Sequence, residues 1–173
     1  YKWIKHSIGN KQSLINDQVN AVIEDRDGDL WFATNNGISF FNSKTGQWSS
    51  VLSSFEKPQA NKSHIFLTLC EVSPGTIWAG GYSSGVYQID KKSLQISYFM
   101  PPLYSEGVMR PDKYIRDIRM DSQGYIWSGG FYNLKRINLK TQNVRLYQGL
   151  NSITAITEKD ANSMWIGLSL IHI

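Results

Sequence analysis

One cysteine among 173 residues leaves no internal disulfide to staple this chain. Cys70 lies in the apolar run Ile65 to Val72, where a thiol serves as a small packing residue. The three histidines, His6, His64 and His172, have no Cys, Asp or second His at ligand spacing, so the usual zinc arrangements are absent and no metal or other cofactor is expected. No apolar run approaches the roughly 18 residues of a membrane span. The acidic residues mostly occupy turn positions, which leaves glycoside cleavage by paired carboxylates without support. The chain is therefore read as having no enzymatic activity. Charge of one sign is also scarce: the net charge is only +4. It is concentrated in Arg110, Lys113, Arg116, Arg119, Lys135, Arg136, Lys140 and Arg145 against Asp112, Asp117 and Asp121. That balance permits an anionic partner, reads first as a mixed solvated surface, and gives no reason to expect nucleic acid.

What the chain has in quantity is aromatic residues, 13% of the total, and a repeat. Trp31, Trp78, Trp127 and Trp165, spaced 47, 49 and 38 residues apart, share one local context. Three residues before each stand Gly28, Gly75, Gly124 and Asn162, types that accept the positive φ of a tight turn. Two residues after come Ala33, Gly80, Gly129 and Gly167, all small, as a close backbone approach requires. Nine before are Val22, Leu69, Ile118 and Ile156, and twelve before are Val19, Phe66, Ile115 and Ile153.

Each unit reads as four strands. In the first, Val19 to Glu24 is an inner strand, Asp25 to Gly28 a turn, Leu30 to Thr34 a second strand, Asn35-Asn36-Gly37 a hairpin turn, Ile38 to Phe41 a third strand and Trp48 to Leu52 an outer one. The turns before the outer strands, NSKTGQ, DKKSLQ and NLKTQN, each begin with an Asn or Asp whose side chain can cap its own turn. Lys44, Lys92 and Lys140 inside them read as solvated. A short strand is expected at Tyr1 to Lys5.

Repeated antiparallel units of this length, each with a Trp and a Gly, are the signature of a β-propeller. The fold class is all-β: blades of four antiparallel strands, three full blades plus a partial one. Residues 1–18 are expected to end a preceding blade and connect to the next. Blades follow at 19–64, 65–114 and 115–152, and 153–173 begin a further one. Because propellers usually have about four to eight blades, the chain is expected to be a fragment of a larger ring, with self-association through its exposed blade edges.

The stretch VNAVIEDRDGDLWFATNNGISFFN resembles the two-component regulator propeller repeat: an aliphatic strand, an acidic-Gly turn, Leu-Trp, a small residue, then Asn-Gly and an aliphatic-aromatic strand. TLCEVSPGTIWAGGYSSGVYQID, IRDIRMDSQGYIWSGGFYNLKRIN and ITAITEKDANSMWIG look like weaker copies. The resemblance implies a place in the periplasmic sensor region of a bacterial hybrid two-component system, an inner-membrane protein attached to the membrane through parts outside this chain. It also implies that the region senses an oligosaccharide. A structural or protein-interaction propeller acting through dimerisation is the first alternative, and a propeller carbohydrate lyase or hydrolase the second.

The Asp25-Arg26-Asp27-Gly28-Asp29 turn has the alternating carboxylates of a calcium loop, but its counterparts VSPGT, DSQGY and KDANS do not, and the twelfth position from Asp25 is Asn36, not Glu. It reads as a structural turn and resembles the Asp-box turn of sialidase propellers. In an up-and-down blade the second-to-third-strand loops and the inter-blade connectors emerge on one face. That face holds the expected ligand-binding residues Asn35, Asn36, Tyr82, Ser83, Tyr104, Arg110, Lys113, Phe131 and Tyr132. Rings for the apolar face of a sugar, with amide and basic groups for its hydroxyls or carboxylates, carry the assignment. Arg116, Asp117 and Arg119 interrupt an inner strand, where charges must face channel water or pair with one another.

Overall fold

The computed structural model describes residues 3–51, 64–82, 85–99 and 114–169, and these form fourteen strands and no helix. The first sheet is β1 (Val19–Glu24), β2 (Leu30–Thr34), β3 (Gly37–Asn42) and β4 (Gln47–Ser50), paired in chain order and antiparallel throughout. The second is β5 (Phe66–Ser73), β6 (Thr76–Gly81), β7 (Gly85–Asp90) and β8 (Ile96–Phe99). The third is β9 (Ile115–Met120), β10 (Tyr125–Gly130), β11 (Leu134–Asn138) and β12 (Val144–Tyr147). A two-stranded sheet, β13 (Ile153–Asp160) and β14 (Ser163–Leu168), follows. The all-β, propeller-type reading is borne out.

Local chemistry sets these sheets. The turn before each outer strand is closed by its first side chain: Asn42 Oδ1 accepts from the amide of Thr45, Asp90 Oδ1 from Ser93 and Asn138 Oδ1 from Thr141, at 2.9, 2.7 and 3.1 Å. The fifth residue of each, Gly46, Leu94 or Gln142, takes a positive φ of 70°, 54° or 56°. Gly28, Gly75 and Gly124 adopt the left-handed conformation expected of them, whereas Asn162 does not. The hairpin there is tighter: Asp160 pairs directly with Ser163, and Asp160 Oδ1 caps the amide of Asn162. The expected strand at Tyr1 to Lys5 is also corrected, because Trp3, Ile4 and Lys5 carry none. The segment doubles back, bridging His6 to Leu14, and Gln12 exchanges hydrogen bonds with the backbone of Trp48 on the outer strand.

The second strands β2, β6 and β10 are buried along nearly their whole length with no polar alternation, as in sheets covered on both faces. The core is three clusters that each bridge neighbouring sheets. At the joints the small residue two after the tryptophan receives an aliphatic side chain from the next sheet. A Cβ on Gly80 would lie 2.6 Å from Ile115 Cγ2, and one on Gly129 would lie 2.6 Å from Ile153 Cγ2.

Two of the three charges on β9 pair: Arg119 Nε is 3.3 Å from Asp117 Oδ1, while Arg116 donates to Tyr114 Oη. The buried Asp117 carboxylate also accepts from Thr68 Oγ1 at 3.3 Å and from the amide of Ile156 at 2.7 Å, tying together the inner strands of three sheets. Cys70 is half-buried, and burial pushes its thiol pKa up, away from reactivity.

The joints give a direct test. Gly80→Val should destabilise the protein by about 1–3 kcal/mol in urea unfolding, since Ile115 and Thr68 leave no room for a side chain. Gly124→Ala, at φ 81° with nothing within 4 Å, should cost only its backbone strain, about 1–2 kcal/mol. Refilling the Gly80 space by pairing Gly80→Val with Ile115→Ala should recover part of the loss, which an effect of β propensity alone would not.

Candidate functional site

The loop face is assembled by one repeated hydrogen bond. The residue after the second strand donates its amide to the carbonyl just before the first: Asn35 to Gln18, Tyr82 to Ile65, Phe131 to Tyr114 and Ser169 to Ser152, at 2.8–3.3 Å. This brings the residue after each second strand against the start of its own inner strand, on one face of the molecule. In the second and third sheets the position after the second strand is aromatic. Tyr82, Phe131 and Tyr132 are therefore presented side by side, 42%, 49% and 57% exposed.

Tyr114, not among the expected ligand-binding residues, joins them into one series. Its ring is 4.7 Å from Tyr82 and 6.1 Å from Phe131, and Phe131 is 5.0 Å from Tyr132, all edge to face. Such contacts leave parts of the ring faces open while fixing the rings against one another. Arg116 flanks the series: its guanidinium donates to Tyr114 Oη at 3.1 Å and lies 5.3 Å from the ring centre. The signal for Tyr114 was its position immediately before the third inner strand, beneath the tip of the hairpin.

Asn35 and Asn36 play different parts. Asn35 is spent inside the protein: its Oδ1 accepts from Asn20 at 2.8 Å and its amide nitrogen donates to Gln18 Oε1 at 2.6 Å. Asn36 is exposed at the tip, its backbone amide held by Thr34 Oγ1. Neither has a ring contact that would bring it into the aromatic series. Ser83, Tyr104, Arg110 and Lys113 lie outside the described residues.

On the opposite face, Asp25 organises its turn. Its Oδ1 accepts from the amides of Asp27 and Asp29, at 3.0 and 3.1 Å, and its Oδ2 from Trp31 Nε1 at 2.8 Å. Asp121 repeats this with Gln123, Tyr125 and Trp127. The carboxylates of Asp25, Asp27 and Asp29 converge closely enough to hold a cation, and the cation there is the ammonium of Lys91 from the next sheet, at 2.8, 2.6 and 2.8 Å. Burial alone would raise the Asp25 pKa, but hydrogen bonds from Lys91, Trp31 and two backbone amides outweigh it and hold it below its ordinary value. Burial alone would lower Lys91, but its hydrogen bonds to Asp25, Asp27 and Asp29 prevail and raise it above its ordinary value. This cluster is a clamp between two sheets.

A cavity of about 490 Å³ lies between the third sheet and the two-stranded sheet, lined among others by Asp121, Trp127, Arg136, Tyr147 and Glu158. Arg136 spans it, 3.6 Å from Asp121 and stacked at 3.6 Å over Tyr125. It contains none of the residues expected from the sequence to bind ligand.

Residues 13–36 match the family model described as two component regulator propeller, so the chain carries that repeat where the resemblance was read. No curated protein matches the chain. Its fold is similar to that of the extracellular domain of the putative hybrid two component system BT3049 from B. thetaiotaomicron, with a TM-score of 0.73 and 22% identity over 96% of this chain and 21% of that one. The extracellular domain of the putative hybrid system BT4673 from the same organism is similar at a TM-score of 0.70 and 19% identity, covering 94% of this chain and 23% of that one. The WD40 β-propeller domain of Doa1 is similar at 0.69 with 12% identity, over 91% of this chain and 50% of that one. The chain thus spans about a fifth of the length of the two sensor domains.

The clamp predicts a pH window. Asp25, depressed below its ordinary 3.8, contributes stability that is present above that pH and lost as the pH falls through its lower folded value. Lys91, raised above its ordinary 10.5, contributes stability that is full below that pH and lost as the pH rises through its higher folded value. Lys91→Met should cost about 3 kcal/mol in urea unfolding at neutral pH, by leaving the buried Asp25 carboxylate without its partner. It should also remove the alkaline limb of the pH profile and weaken the acid limb. An unchanged pH profile in this variant would show that the clamp contributes nothing.

Proposed function

We propose that this chain is part of a non-catalytic, ligand-binding propeller of a two-component sensor, placed in the periplasm, and that its loop face contacts an oligosaccharide. The observation that carries the reading is the series Tyr82, Tyr114, Phe131 and Tyr132, four rings fixed edge to face on the hairpin face with Arg116 beside them. Aromatic faces accept the C–H side of a pyranose, and a fixed guanidinium donates to hydroxyls or a carboxylate. The match of residues 13–36 to the two component regulator propeller family, and the likeness of the fold to extracellular domains of putative hybrid systems, support the sensor role.

No chemistry on the sugar is required of this face. The signal would be carried by differential affinity: a ligand shifts a conformational equilibrium only as far as it binds one state better than the other. The loop face is suited to this because its rings come from two different sheets, so a ligand lying across Tyr82 and Tyr132 would bias their relative placement.

Calorimetric titration of the protein with neutral and acidic oligosaccharides should give saturable heat with at least one class. Tyr132→Ala and Phe131→Ala should each weaken that binding roughly tenfold, about 1.4 kcal/mol, with the fold unchanged by circular dichroism. Affinity untouched by both, and by Tyr82→Ala, would mean the ligand sits elsewhere. Release of new reducing ends or unsaturated sugar over hours would instead favour a carbohydrate lyase or hydrolase.

A further inference from the structure

Arg116 carries a charge that the protein does not answer. Of the arginines among the described residues, Arg26, Arg119 and Arg136 each pair with a carboxylate, those of Glu71, Asp117 and Asp121, at 3.6, 3.3 and 3.6 Å. Arg116 and Arg145 form no ion pair among the described residues. Arg145 is on the outer strand β12, its guanidinium 5.0 Å from the centre of the Tyr147 ring. Arg116 is exposed on the inner strand β9, beside the aromatic series. The hydrogen bond that holds it runs from Nη2 to the hydroxyl of Tyr114, at 3.1 Å.

That hydrogen bond fixes the guanidinium without neutralising it. A phenol orients one N–H, and the others keep the fork that grips two oxygens of an anion with parallel bonds. The position matters as well. Tyr114 is an interior ring of the series, with Tyr82 on one side and Phe131 on the other, so a ligand lying across these rings passes beside Arg116. The carboxylates of the same two sheets are engaged elsewhere. Glu71, Asp90 and Asp121 accept from backbone amides in turns at the opposite ends of the strands. Asp117, next to Arg116 in the chain, is buried and accepts from the amides of Ile118 and Ile156.

We infer that the ligand of this face is an acidic oligosaccharide, and that Arg116 selects it by receiving an anionic group on the sugar, a carboxylate or a sulfate. This rests on the reading of the hairpin face as an oligosaccharide site and adds the class of sugar to it. Aromatic rings do not separate a neutral pyranose from its uronate, because both present the same C–H face. The discrimination comes from the charge beside them. A charge-assisted pair in place of a contact to a neutral hydroxyl favours the acidic sugar by about tenfold to a hundredfold. Tyr114 acts here as a positioning residue, since its hydroxyl holds the guanidinium at the series.

The test is a calorimetric panel against the full chain: uronate oligosaccharides, the same compounds with each carboxyl reduced to a hydroxymethyl group, and sulfated neutral oligosaccharides beside their unsulfated forms. At least one acidic class should bind about tenfold or more tighter than its neutral counterpart, and the margin should shrink in high salt. Which class shows the margin identifies the anion. Arg116→Gln should abolish the margin and leave the affinity for the neutral sugars unchanged. Tyr114→Phe, which keeps the ring and releases the guanidinium, should narrow it. Arg145→Gln, which removes an equal charge from the outer strand, should leave it intact. Equal binding of acidic and neutral sugars overturns this inference while the face remains a sugar site. So does a margin that survives Arg116→Gln or is lost equally in Arg145→Gln. A panel in which nothing binds overturns the sugar reading itself, and this inference with it.

Discussion

The approach of an aliphatic side chain on one inner strand to the glycine of the preceding sheet is the contact on which the rest of this structure depends. A four-stranded sheet of this composition has two apolar faces and can bury neither alone. Ile115 over Gly80 and Ile153 over Gly129 bring an inner strand so close to the second strand of the preceding sheet that no side chain fits at the glycine. Once those strands are set, the tryptophans of the first three sheets fall under the next sheet, and the residues that follow the second strands are held on one face.

The turns around that contact vary together from joint to joint. Between the first and second sheets the joint is ionic. Asp25 and its neighbours hold Lys91, and Glu71 of the second inner strand accepts from the amide of Arg26. Between the second and third sheets the same columns are Val72, Leu139 and Met120, which pack together in one apolar cluster. At the third joint polarity returns, with Glu158 accepting from the amide and hydroxyl of Ser122 at 2.9 and 2.5 Å. A charged clamp and an apolar one serve the same joint, because either satisfies what it buries. A mixture of the two would strand a carboxylate against hydrocarbon.

This pattern marks what the sequence made legible. Strands, hairpin turns and sheet order follow from spacing alone, because the tryptophan and glycine columns are local and repeated. The Asx-capped turns were equally readable, since Asn42, Asp90 and Asn138 act within six residues. Lys91 was not. The row of Lys44, Lys92 and Lys140 drew attention, and these are exposed, while the lysine that reaches the acidic turn is one position earlier and 62 to 66 residues from its partners. Only pairing the turn column of one sheet with the outer-turn column of the next would have exposed it. Tyr114 was hidden for a similar reason: it precedes a strand, and only the hydrogen bond from Phe131 places it in the ring series.

The aromatic series stands apart from that scaffold logic. Within the first three sheets an aromatic residue is covered at least in part: Trp31, Trp78 and Tyr87 are buried, and Trp127 stacks on Tyr147. The position after the second strand is Asn35 in the first sheet, where an amide is enough to bridge Gln18 and Asn20, so the fold does not require a ring there. In the second and third sheets the same position is Tyr82 and Phe131, with Tyr132 following, and no neighbouring sheet covers them. Exposed rings cost solubility and return nothing to the core. Side chains that the joints do not need, held against one another at a face the joints keep open, are the part of this chain whose identity packing does not explain, and it is on them that the proposed ligand binding rests.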